Sequence, residues 1–170
     1  FPLAIRYRDD ERARNRYRTF ECGPITMKFV RFSNGGDAAY GVVDGDTVKE
    51  ISNSPIGQDY SETGATHDLN EVKILAPNPT PSKMLCLALN YGSHLLGANK
   101  PTRPQPFYKN TNAIIGPGDP IKLPADAGLV VCESELIAII GKEASKVSEA
   151  DALDYVFGYT AGNDVSAREW

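Results

Sequence analysis

The sequence predicts a mainly β protein with short helices. Two features carry that expectation. Fifteen glycines and twelve prolines punctuate 170 residues, which favours short extended runs over long helices. Between these breaks lie short apolar runs, two of them followed by Asn-Gly-Gly-Asp or Asp-Gly-Asp turns. Asp-Gly between apolar runs is a strong hairpin signal, because glycine accepts the positive φ that tight turns need.

The elements follow in order. MKFVRF from Met27, AAYGVV and TVKEI read as strands, joined by Asn34-Gly35-Gly36-Asp37 and Asp44-Gly45-Asp46. Residues 52–70 are polar and rich in Gly, Ser and Thr, and read as a loop or linker. APNPTP at 76–81 is a rigid extended connector, since each proline restricts the residue before it, and the domain boundary is placed there. KMLCLAL (83–89) is a strand, followed by a less regular stretch, by PFYKN as a further strand, and by the turn Gly116-Pro117-Gly118-Asp119-Pro120. Leu129 to Ile140 is the strongest strand of the chain, apolar on both faces and so expected to be buried on both sides. Ser148, followed by Glu149, Ala150 and Asp151, reads as the N-cap of a short helix ending near Tyr155. VFGYTAGND (156–164) returns to strand. The chain thus divides into an unstructured leader at 1–26, a small β domain at 27–75 and a larger region at 76–170.

Charge narrows the function classes. The chain carries 18 Lys+Arg against 22 Asp+Glu, a net −4. Six arginines (Arg6, Arg8, Arg12, Arg14, Arg16, Arg18) fall in the leader with four acidic residues, so residues 27–170 hold 12 basic and 18 acidic side chains. An acidic body argues against a nucleic-acid partner. Asp9-Asp10-Glu11 interrupts the arginines, whereas transit peptides are poor in acids. No apolar run is long enough to span a membrane, so no membrane partner is expected. Three cysteines (Cys22, Cys86, Cys132) without a Cys-x-x-Cys spacing argue against a disulfide framework and a thiolate zinc site. They fit a reducing compartment, and the expected location is cytoplasmic, with the mitochondrial matrix as the organellar alternative.

The most informative residues for chemistry are Glu133 and Glu135 in LVVCESELIAIIG. Residues i and i+2 of a strand share a face, with Cα atoms roughly 6–7 Å apart. Two carboxylates on one buried face repel and lose hydration. Protonating one, pairing them with Arg or Lys, or placing a cation between them would each relieve this, and hard oxygen ligands favour Mg²⁺, Mn²⁺ or Ca²⁺ over zinc. The alternative is an exposed strand end with both glutamates solvated. Asp164 is the natural third ligand, or else it N-caps a helix begun by VSAREW. Arg168, one helical turn further on in that case, would meet an anionic substrate with a planar two-pronged donor or form a surface ion pair. His94 in LNYGSH is a candidate general base set against an ordinary structural or exposed histidine, and His67 falls in the polar loop. Gly116-Pro117-Gly118-Asp119 lacks nucleotide-binding glycine spacing, and Gly141-Lys142 is followed by Glu143 where a P-loop needs Ser or Thr.

LNYGSH (89–94), FYKN with AIIGPGDPIKLP (107–124), ESELIAIIGK (133–142) and VSEADALDYVFGYTAGNDVSARE (147–169) together resemble the fumarylacetoacetate hydrolase family. The region from Met27 resembles the small β domain that precedes the catalytic core in many members. The resemblance implies a mixed β-sandwich or β-roll core, incomplete here, and a homodimer for the complete protein. It implies one Mg²⁺ (or Mn²⁺ or Ca²⁺) held by Glu133, Glu135 and Asp164, with His94 as the base. The substrates it implies are small 2,4-dioxo or 2-oxo acids, through hydrolysis of acylpyruvates or fumarylpyruvate, or decarboxylation or tautomerisation of oxaloacetate.

Two departures from the family pattern stand out. The glutamate usually found three residues after the histidine is Gly97 here, which weakens the expected base. The family core also continues past the Asp-x-x-x-Arg segment with a Gln and a Lys, whereas this sequence ends at Trp170. The competing expectation is therefore a non-catalytic fragment that needs another chain or a further segment to complete its fold, with exposed apolar edges.

Overall fold

The computed structural model describes residues 4–6, 27–95, 97 and 99–170, with the backbone alone at 4–6, 93 and 94. The described residues pack as two units. One takes in the chain up to Pro77 together with Gly116–Trp170, and the other is Asn78–Ile115. Strands dominate the first, and the described helical elements of both are short 3-10 turns.

The first unit is built on an antiparallel sheet. β1 (Ala4–Arg6), β2 (Met27–Ser33), β3 (Ala38–Asp44), β4 (Thr47–Ile51), β5 (Glu62–Asp68), β6 (Lys73–Leu75), β10 (Ser134–Ile140) and β11 (Val156–Asn163) run in the order β10-β11-β1-β2-β3-β4-β5, with β6 beside β2. The hairpins read from the sequence form. Gly35 and Gly45 take positive φ, +79° and +59°, at the β2–β3 and β3–β4 turns. The leader departs from its expected lack of structure at Ala4–Arg6, which pairs with both β2 and β11. Its other residues, Cys22 among them, lie outside the described residues.

β2 is buried on both faces, and this is what assembles the unit. Phe29 packs with Ile51, Ile139 and Phe157 on one side, while Val30 and Phe32 pack with Val48 and Val72 on the other. The Phe29 ring lies 5.4 Å from Phe157 and 5.6 Å, edge-on, from Tyr60. Burying a phenylalanine contributes about 1.5–3 kcal/mol, so these contacts tie the hairpins of 27–51 to β10 and β11 far along the chain.

Three expectations are corrected. Residues 52–70 are not only loop, because β5 lies there, with His67 on it. ETGATHD has no apolar alternation, but an edge strand held by main-chain bonds to β4 needs none. Leu129–Ile140 is not one strand buried on both faces. It is β9 (Val130–Val131) and β10, separated by Cys132 and Glu133. Among the described residues β10 is bonded to β11 alone and forms an edge of the sheet; Leu136 is 69% exposed, and Ile139 is the one buried residue of the strand. The helix expected from Ser148 is a single 3-10 turn, Ala152–Tyr155. Ser148 does accept the Asp151 N–H at 3.3 Å and donates to its carboxylate at 2.7 Å, but the main-chain bonds that follow are of the i→i+3 kind.

The second unit holds β7 (Met84–Ala88) paired antiparallel with β8 (Gln105–Lys109), and 3-10 turns at Gly92–Leu95 and Thr111–Ala113. Both strands were expected. Asn110 caps the second turn by accepting the Asn112 N–H.

Candidate active site

The carboxylates sit where two strand pairs are interrupted side by side. β10 and β11 run in register from Ser134↔Asn163 to Glu135↔Gly162 and beyond. β9 pairs with β12 (Ser166–Ala167) through Ser166↔Val131 and Ala167↔Val130. Between the two ladders Cys132–Glu133 faces Asp164–Val165. The Asp164 N–H donates to the Glu133 carbonyl at 2.9 Å, and the Asn163 side-chain oxygen accepts the Glu133 N–H at 3.0 Å. Below, the Arg168 N–H donates to the Leu129 carbonyl at 2.9 Å. Glu133, Asp164 and Arg168 are thus held by main-chain bonds around one break.

Alternation survives that break. Val131, Glu133 and Glu135 are half-buried, while Cys132, Ser134 and Leu136 are exposed. Glu133 and Glu135 therefore share the more protected side, as their spacing required. The solvated-strand-end alternative fails for Glu133, whose side chain is only 16% exposed. The helix-cap alternative for Asp164 fails too, because β12 follows it instead of a helix. Arg168 consequently reaches the site through the β9–β12 pairing, not along a helical turn.

Charge compensation at Glu133 comes from within the chain. Nη2 of Arg168 donates to Oε1 of Glu133, forming an ion pair whose arginine is 52% exposed. Among the described residues, no three His, Cys, Asp or Glu side chains converge so as to hold a metal ion. The donor chemistry of Glu133, Glu135 and Asp164 suits a hard cation, yet their side chains in this arrangement do not form a closed site for one.

His94 belongs to the second unit, in the Gly92–Leu95 turn, and its side chain lies outside the described residues. Gly97 has φ +87°, a backbone conformation that glutamate rarely adopts. The absent acid therefore coincides with a local backbone that favours glycine. Sequence reading missed Asn163, which holds the Glu133 main chain and is signalled only by adjacency to Asp164. It also missed the pairing of His67 with Glu50 (Nε2 to Oε2, 2.9 Å), which lies on β4 and β5 against the Phe32 ring.

Residues 83–170, just over half the chain, match the family model for the fumarylacetoacetate (FAA) hydrolase C-terminal domain. The chain belongs to the fumarylacetoacetate hydrolase family. Residues 27–77 match a second model, Rv2993c-like, N-terminal. Protein Rv2993c of Mycobacterium tuberculosis is 39% identical over 152 residues, covering 84% of this chain and 57% of that protein. The mitochondrial oxaloacetate tautomerase fahd2 of Xenopus laevis is 42% identical over 103 residues, 59% of this chain and 32% of the relative. The structure of maleylpyruvate hydrolase from Sphingobium sp. SYK-6, in complex with manganese(II) and pyruvate, aligns with a TM-score of 0.64 at 29% identity, over 84% of this chain and 60% of that one. Family membership and the mainly β fold agree with the sequence reading. The chain spans little more than half the length of the first of these relatives. Relatives of this family are thus named as enzymes of small oxo acids, and one has been solved with a divalent metal. No helix among the described residues is long and apolar enough to cross a membrane.

Proposed function

We propose that the protein acts on small 2-oxo or 2,4-dioxo acids as a divalent-metal-dependent hydrolase or lyase of C–C bonds, or as a tautomerase of the same substrates. The observation that carries this reading is the doubled strand break that gathers Glu133, Asp164 and Arg168 within the family-matched region. The named activities of the tautomerase and hydrolase relatives support it, since both act on 2-oxo acids. Glu133, Glu135 and Asp164 are the proposed ligands of Mg²⁺, Mn²⁺ or Ca²⁺, and the manganese in the hydrolase relative supports a hard cation. The planar guanidinium of Arg168 suits a substrate carboxylate, which it can grip with two parallel N–H donors. His94 takes the base role that the family resemblance implies. With Gly97 where a polarising acid usually stands, base-dependent hydrolysis suffers more than tautomerisation, which moves a proton between carbon and oxygen without activating water.

The test is turnover of oxaloacetate and of acylpyruvates, followed by loss of the enol and dioxo absorbance, with Mn²⁺ or Mg²⁺ and after chelation. Activity is expected to disappear with chelator. E133Q and D164N are each expected to lower kcat/KM at least about 100-fold, an effect on the scale of losing one charged stabilising group. Unchanged turnover in both variants would refute the assignment. His94→Ala is expected to depress hydrolysis more than tautomerisation.

A second reading, association with another polypeptide without catalysis, is favoured by exposed apolar side chains. Leu85, Leu87 and Tyr108 on the β7–β8 ribbon and Leu136, Ile137 and Ile140 on β10 are all exposed. The homodimer implied by the resemblance would cover such surfaces, and sedimentation of the full chain checks it.

A further inference from the structure

The strand break at Glu133 is not a change of register. Ser134 pairs with Asn163 on one side of it and Val131 with Ser166 on the other, so two residues intervene on each strand. A β-bulge would leave unequal numbers. Past Val131 the Arg168 N–H reaches the Leu129 carbonyl in the same register. β9–β12 and β10–β11 are thus one antiparallel pairing, open at 132–133 and 164–165, and closing it requires no residue to be gained or lost.

At Glu133 the ladder exchanges a main-chain bond for a side-chain one. The Asp164 N–H donates to the Glu133 carbonyl at 2.9 Å. In a regular antiparallel pair the Glu133 N–H would return a bond to the Asp164 carbonyl. Oδ1 of Asn163 takes that N–H instead, at 3.0 Å. A neutral amide suits the place, because aspartate would accept the same bond but add a fourth carboxylate beside Glu133, Glu135 and Asp164. Asn163 is itself exposed, so it fills no core space.

We infer that Asn163 is a positioning residue of the oxo-acid site. By taking the Glu133 N–H it holds the ladder open, and the opening keeps Glu133 and Asp164 outside the strands that flank them. Its part in catalysis rests on the oxo-acid reading above, whereas its hold on the ladder does not. Without the amide oxygen, the Glu133 N–H passes to the Asp164 carbonyl and the two strand pairs join into one ladder. A main-chain bond then replaces the lost one, so stability holds while turnover falls. A side chain with a structural role alone would cost stability when removed.

Backbone NMR of the full chain, urea midpoints and oxaloacetate turnover test this. N163A and N163V remove the acceptor, and N163D keeps it. In N163A and N163V the Cα and Cβ chemical shifts of Glu133 and Asp164 are expected to move to strand values. Their Glu133 amide is expected to exchange with solvent no faster than in the unaltered chain, and their urea midpoints not to fall. N163D is expected to keep the original shifts. In both acceptor-free variants kcat is expected to fall at least about tenfold with KM changed less, the mark of misplaced groups as opposed to lost binding. Faster exchange of the Glu133 amide, unmoved shifts, or a lower urea midpoint (failure of both variants to fold included) overturns the inference. Strand shifts with unchanged kcat overturn the positioning role. No turnover by the unaltered chain overturns the oxo-acid reading, and the shifts and exchange then decide the hold on the ladder by themselves.

Discussion

At the scale of single residues, charges here act through specific partners. Asp119 shows this most plainly outside the candidate site. Its carboxylate accepts from Lys73 Nζ at 2.8 Å and from the Gly116 N–H at 2.9 Å, joining β6 to the turn that opens the second stretch of the unit. The Lys73 bond first, and the Gly116 N–H after it, hold the Asp119 carboxyl below its ordinary value of 3.8. A carboxyl lowered in the folded state stabilises fully above its unfolded pKa and loses that contribution as pH falls through the lower folded value. Asp119→Asn is therefore expected to be less stable than the parent at neutral pH. The difference in thermal midpoint should close as pH falls below 3.8. The effect is small, because the pair is solvent-screened. A gap that persists undiminished in acid would assign the contribution to turn geometry instead. Asp119 was legible only as part of a Gly-Pro-Gly-Asp-Pro turn, since its lysine lies 46 residues away.

At the scale of elements, close backbone approach decides what the loops can tolerate. Gly57 has φ +69°, and a Cβ there would lie 2.8 Å from the carbonyl oxygen of Gly141, just past β10. Gly57→Ala is expected to cost about 1–3 kcal/mol, from the left-handed backbone and the clash together, read as a lower urea midpoint with unchanged m. The hairpins of 27–51 and β11 were legible because their apolar runs and turn residues agree locally. β5 was not, because a polar edge strand depends on its neighbour's main chain and leaves no mark in side-chain pattern. The split of Leu129–Ile140 was equally hidden. Its residues all favour strand, and the change of partner from β12 to β11 occurs between them.

At the scale of the whole molecule, the apolar residues of the edge strand are the conspicuous surface. Leu136 stands 69% exposed on β10, whose other edge is unpaired among the described residues. Leu136→Lys is expected to change stability by less than about 0.5 kcal/mol while raising the concentration at which the chain begins to aggregate, measured by light scattering. A large loss of stability would mean that Leu136 is covered in solution, as association through this edge requires.

The sequence by itself determined the family, the β class, the hairpins and the half-buried alternation that Glu133 and Glu135 share. Each of these follows from short-range alternation, turn chemistry or motif order. Only the tertiary structure decided that Asp164 lies beside Glu133 at a doubled strand break, and that Arg168 holds the Glu133 carboxylate. It also decided that β10 is an edge. Those outcomes depend on which strand pairs with which across some thirty residues, and hydrogen bonds of the main chain carry no residue-specific signature in sequence.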